Sequence, residues 1–138
     1  MMKIIPNTVD DIKHLLITAN GKSFFLSGKT NGIGGELKAL EIAKSRSGIT
    51  LEGLLKEKNI ELPAWNPSDP NVMKLWQDVS AEYARLVSGE VRAVIGQQLR
   101  PDNIWQTKEL PALISNMNVS KITTIDPETL IETVIFIR

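Results

Sequence analysis

The chain has 138 residues, 42% of them apolar and 23% charged, with 16 basic side chains balancing 16 acidic ones. That length and balance suit one soluble globular domain, residues 1–138, and the absence of any block of like charge disfavours duplex nucleic acid or an anionic membrane as a partner. Cysteine is absent and His14 is the single histidine, so disulfides, thiolate nucleophiles and zinc–thiolate sites are excluded and no histidine pair exists to hold a metal.

From the N-terminus, Met1–Pro6 is too short an apolar run for a signal peptide, and no run reaches the length of a membrane span. The chain is expected to fold in a cytosol or to travel as part of something larger. Thr8–Leu16 fits a short helix with acidic first-turn residues, ended by Asn20-Gly21. Ser23–Ser27 reads as a strand closed by Gly28. Ile33, Leu37, Leu40 and Ala43 recur at helical spacing, predicting a helix over roughly 33–46 with Ser47-Gly48 as its stop.

Thr50 is placed to cap a short helix carrying Leu51, Leu54 and Leu55, and the prolines at 63 and 67 make 61–67 a loop. Asp69 and Pro70 open a longer helix with the stripe Val72, Trp76, Val79, Tyr83, Val87, ending at Ser88-Gly89. The last third changes period. Val91–Ile95, Ile104–Glu109, Lys121–Ile125 and Ile131–Ile137 are short β-branched runs between turn signals, the last two forming a terminal hairpin. The expected fold class is α/β, an N-terminal helical part followed by a small, mainly parallel sheet with flanking helices.

Catalytic chemistry in such a chain must rest on carboxylates, hydroxyls, amines or aromatics. Gly28-Lys29-Thr30 resembles the end of a phosphate-binding loop, but Ser23 stands where that motif needs glycine, and Gly32–Gly35 lacks dinucleotide-fingerprint spacing. Glu52 falls in the first turn of its helix, where the dipole alone accounts for a carboxylate. Trp76 lies on an apolar stripe, as a core tryptophan would, and Ser80 shares nearly the same face. Glu109 closes its short run, and strand ends in α/β sheets are where ligands bind, although exposed strand-end glutamates are common.

In combination, Ser27 after an apolar pair, Thr50-Leu51-Glu52, Trp76-Gln77-Asp78-Val79-Ser80, Val91–Gly96, and Trp105 with Glu109 resemble the ADP-ribosyl cyclase / NAD glycohydrolase family, in the same order and with similar spacing over residues 24–125. The resemblance implies an ADP-ribosyl cyclase-like fold and cleavage of the nicotinamide–ribose bond of NAD, with NAD as substrate and no cofactor or metal. It implies that Glu109 is the catalytic carboxylate, that Glu52 meets the carboxamide, that Ser80 approaches the reacting ribose, and that Trp76 stacks on a substrate ring. Trp105 would take the aromatic position before the catalytic glutamate, while Ser27 and Lys29 would contact the diphosphate.

The chain departs from animal members in having Leu26 for a tryptophan, a cation displaced by one residue to Lys29, Ile104 for a threonine, a shorter stretch between Glu52 and Trp76, and no cysteine. In this it resembles the compact bacterial versions carried as C-terminal toxin modules in contact-dependent and other polymorphic toxin systems. That likeness implies secretion within a larger effector, action in the target-cell cytoplasm, and a cognate immunity protein. Two rival readings stand beside it: a metal-independent ribonuclease toxin centred on His14, Lys29 or Arg100, and a non-catalytic nucleotide- or protein-binding module.

Overall fold

The computed structural model describes residues 2–138; Met1, part of the Met1–Pro6 segment considered above, lies outside them. Two 3-10 turns, Val9–Asp11 and Lys13–Leu15, take the place of the expected first helix. They still bury Ile12 and Leu16 completely. Strand β1 (Ser23–Ser27) follows, then a small hairpin of β2 (Lys29–Thr30) and β3 (Ile33–Gly34). Helix α1 spans Glu36–Ser45, beginning three residues later than its apolar spacing predicts, because Gly34 and Gly35 have φ of 147° and 87°, outside helical space.

Strand β4 (Ile49–Thr50) leads directly into α2 (Leu51–Glu57), where the Thr50 hydroxyl accepts from the Gly53 amide at 3.1 Å as an N-cap. Helix α3 (Pro70–Leu86) opens as expected, with Asp69 Oδ1 accepting from Asn71 N and Val72 N at 3.0 and 3.4 Å and Pro70 in the first turn. Strand β5 (Gly89–Ile95), helix α4 (Leu110–Ser115) and strands β6 (Val119–Ile125) and β7 (Glu132–Ile137) complete the chain.

The five-stranded sheet runs β4-β1-β5-β6-β7, all parallel except for β7, which returns antiparallel along β6 as the expected terminal hairpin. Strand alternation sends neighbouring side chains to opposite faces. Phe24 packs with Ala39, Ile42 and Ala43 of α1, while Phe25 lies 5.0 Å from the Tyr83 ring of α3 and 5.8 Å from the Trp105 ring. Leu51, Leu54, Leu75, Val79 and Leu113 complete the larger core on that second face. The fold is thus α/β, with helices on both faces of a mainly parallel sheet. No helix among the described residues is long and apolar enough to cross a membrane.

One expected strand is instead helical. Trp105–Glu109 forms a π-helical turn that continues into α4. The β-branched Ile104 and Thr107 suggest extension, but Asn103 overrides them by acting as a helix start. Its Oδ1 accepts from Gln106 N at 2.8 Å, its Nδ2 donates to Gln106 Oε1 at 2.7 Å, and its carbonyl accepts from the Thr107 hydroxyl at 2.8 Å. Glu109 therefore leaves the end of a π turn and not the end of a strand.

The carboxyl ends of β1 and β5 are pinned together by close backbone contact. Gly96 N donates to Ser27 O at 2.9 Å, and a Cβ at Gly96 would lie 2.3–2.5 Å from backbone atoms of Lys29. Gly96→Ala is therefore expected to cost about 1–3 kcal/mol through overpacking, seen as a lower urea midpoint. An unchanged midpoint would show that the two segments separate without cost.

Candidate active site

Chain order reverses at the β1/β5 pair: the connection from β1 leads to β4 on one side, and the next strand, β5, joins on the other. In α/β sheets such a switch point leaves a crevice beyond the carboxyl ends of the strands. A cavity of about 490 Å³ lies here. Its wall takes Leu26, Ser27 and Gly28 from the end of β1, Glu36 from the first turn of α1, Glu52 from α2, and Trp76 and Ser80 from successive turns of α3. The 61–67 loop adds Leu62, Pro63, Ala64 and Trp65, the segment after β5 adds Gln98, Arg100 and Asn103, and the helical segment beyond it adds Ile104, Trp105 and Glu109.

Glu109 is only 6% exposed, and no described side chain or backbone group stabilises its charge. Burial, and then the nearby charge of Glu52, hold its carboxyl well above the usual carboxylate range. Glu52 is pushed up to about 7 by burial and the charge of Glu36, against the opposing pull of its own backbone N–H. Its Oε2 is enclosed without a hydrogen-bond partner. Two acids that resist ionisation for want of a counter-charge would both gain from a cationic guest.

The aromatic walls differ in how they are held. Trp105 is core, 3% exposed and tilted at 47° against Phe25. Trp76, on the expected stripe, is only half-buried: its Nε1 donates to Pro63 O at 2.9 Å and its ring faces the cavity, meeting Trp65 edge-on at 6.5 Å. Ser80 is buried at 4% exposure beside it.

Of the residues singled out in the sequence, Glu109, Glu52, Ser80, Trp76, Trp105 and Ser27 share this one cavity. Lys29 does not line it; it is exposed on β2, and its stem runs beside Gly34 and Gly35. The ribonuclease grouping is not assembled either, because His14 sits exposed on a 3-10 turn and only Arg100 of its three candidates lines the cavity. Leu26 forms part of the wall without closing the space. Sequence reasoning missed Glu36 and Trp65. Glu36 carries no signal beyond a helix first turn, whereas Trp65, an aromatic in a loop between two prolines, is a position that solvent exposure alone would not favour.

No protein-family model and no curated protein sequence matches the chain. Solved structures do. Aplysia cyclase complexed with substrate NGD and product cGDPR matches with a TM-score of 0.58 at 20% identity, covering 86% of this chain and 56% of that one. An ADP ribosyl cyclase complexed with N1-cIDPR matches with a TM-score of 0.58 at 21% identity, covering 86% and 56%. CD38, described with a conformationally flexible covalent enzyme-substrate complex, matches with a TM-score of 0.57 at 22% identity, covering 86% and 57%. The chain spans little more than half the length of these proteins. At these identities the likeness is one of architecture, and in architecture this chain has the fold of the ADP-ribosyl cyclases.

Proposed function

We propose that the cavity cleaves the N-glycosidic bond between nicotinamide and ribose in NAD, as an NAD glycohydrolase or ADP-ribosyl cyclase. The observation that carries this reading is the buried Glu109 carboxyl, without an internal counter-charge, facing a cavity walled by Trp76 and Trp105 in a cyclase fold. When the bond breaks, its electron pair goes to the ring nitrogen, neutralising the pyridinium, so nicotinamide departs without a general acid. The positive charge moves to the ribose. A carboxylate in a pocket of low dielectric stabilises that charge far better than it could in water. Water attacking the anomeric carbon gives ADP-ribose and a proton, and an adenine nitrogen attacking it gives a cyclic product.

In this reading Glu52 meets the carboxamide, Trp76 covers the ring, Ser80 approaches the reacting ribose and Ser27 contacts the diphosphate; what supports it is that all four line the one cavity. The chemistry requires no metal or cofactor. Purified protein is accordingly expected to release nicotinamide from NAD at the same rate with and without a chelator. Chelator-sensitive release would overturn the mechanism, and cleavage of total RNA without NAD turnover would replace it. The resemblance to compact toxin modules supports a role as an interbacterial effector, delivered within a larger secreted protein, acting in the target cytoplasm and blocked by an immunity protein. This role requires that cytoplasmic expression deplete NAD and arrest growth in a Glu109-dependent manner.

A further inference from the structure

The cavity wall carries two kinds of charged group. Glu36, Glu52, Leu62 and Trp76 form an acidic wall shared with a neighbouring depression. Ser27, Gly28, Gln98 and Arg100, like Glu109, line the main cavity alone. Against three glutamates, Arg100 is the single cation among the lining residues.

Arg100 is held for use without being used internally. Its guanidinium lies 5.6 Å from the centre of the Trp65 ring, a cation–π arrangement that fixes a planar donor group at the lip. Among the described residues its side chain makes no ion pair, and its hydrogen bonds are made only by its carbonyl, which accepts from Asn103. Trp65 is in turn set edge-on against Trp76, whose indole is tied to Pro63, so the guanidinium is referenced to the same scaffold as the acidic wall. In the same wall Gly28 has φ of 71°, and a Cβ there would lie 2.5 Å from Gln98 O, so the two backbone segments approach closely where they line the cavity.

We propose that Arg100 is the diphosphate anchor of this site, gripping a phosphate oxyanion with its free guanidinium donors while the cationic end of the same ligand faces the glutamates. The role falls to Arg100 and not to Lys29. Lys29 N donates to Gln98 O at 3.3 Å and Gln98 N to Lys29 O at 2.9 Å, which holds the Lys29 backbone beside the cavity-lining Gln98, but its side chain runs along Gly34 and Gly35 and does not line the cavity. A guanidinium offers paired donors matched to phosphate oxygens, which a single ammonium does not. The assignment of the anion as the diphosphate of NAD rests on the proposed function; the anion site itself does not.

The test uses ADP, the half of the ligand that lacks nicotinamide, titrated calorimetrically into the wild type, Arg100→Ala, Arg100→Lys and Lys29→Ala. Because Arg100 is exposed, its removal should leave the fold intact, checked by the thermal midpoint. The expected result is ADP binding that weakens about tenfold or more in Arg100→Ala and less in Arg100→Lys. With NAD and the phosphate-free nicotinamide riboside as paired substrates, the ratio of their kcat/KM values should fall by a similar factor in Arg100→Ala. No ADP binding by the wild type, full ADP affinity in Arg100→Ala, or loss confined to Lys29→Ala would each overturn the proposal. Arg100-dependent ADP binding without NAD turnover would sink the catalytic reading and keep the anion site. NAD turnover with Arg100-independent ADP affinity would do the reverse.

Discussion

Glu109→Gln is expected to lower NAD turnover on the order of a thousandfold while making the folded protein more stable above neutral pH. Both effects have one cause. Burial and the charge of Glu52 raise the Glu109 pKa in the folded state above its unfolded value, so the folded protein binds the proton more tightly. Stability is then fully present below the unfolded pKa and is lost as pH rises toward the folded pKa. The amide has no charge to desolvate and escapes that loss. Each kcal/mol recovered is about 3–5 °C in thermal midpoint for a chain of this size. The midpoints of wild type and variant should coincide near pH 4 and separate as pH rises.

Turnover requires the ionised form, so kcat/KM should climb with pH through the raised pKa, and Glu52→Gln should move that limb to lower pH by removing a neighbouring negative charge. A folded Glu109→Gln protein with wild-type rates would show that this carboxyl does not stabilise the developing charge, and one with no stability gain at pH 8 would show that burial does not penalise its ionisation.

Trp105→Ala is expected to cost about 3–5 kcal/mol, the penalty for emptying a site of this size. Trp105 is 3% exposed and packs against Phe25, which in turn meets Tyr83, so the void would open between the sheet and α3. Against a total stability of about 5–15 kcal/mol, that loss endangers folding at physiological temperature. Trp105→Phe, which keeps the contact with Phe25, should recover most of it. Because Trp105 begins the turn that ends at Glu109, Trp105→Phe should still lower kcat while leaving a cooperative urea transition. A Trp105→Ala protein as stable as wild type would remove Trp105 from the core, and an unchanged kcat in Trp105→Phe would separate its packing from the placement of Glu109.

Elements whose signal is carried by their own residues are legible in the sequence alone. Asp69-Pro70 at the head of α3, Thr50 at the cap of α2, and the paired runs of β6 and β7 declare themselves locally. The helical segment at 104–109 does not, because its β-branched and aromatic composition favours extension while the hydrogen bonds of Asn103 decide the outcome. The apolar period also misplaces Leu37, which is 82% exposed on the outer side of α1. For the site, Glu52, Trp76, Ser80, Trp105 and Glu109 are each ambiguous on their own pattern and are picked out only by the resemblance to the cyclase family. Glu36, Trp65 and Arg100 join them only through the sheet's switch point and the folding of the 61–67 loop over α3, neither of which any local pattern contains.

The π-helical turn also sets how this protein could drift in evolution. A π turn accommodates one residue more than the α-helical path it interrupts. Losing one residue from 105–109 would let the segment relax into ordinary helix joined smoothly to α4, a change that backbone energetics would tolerate. Because the π turn absorbs that residue locally, its loss would leave the flanking helix in register and move only the side chains inside the turn. The sheet, Trp76 and Arg100 would be untouched, while Trp105 and Glu109, at the two ends of the turn, would change their placement relative to each other and to the cavity. If the proposed function holds, a single-codon deletion could thus separate ligand binding from catalysis, and conversely a binder with a regular helix here could become an enzyme by gaining one residue.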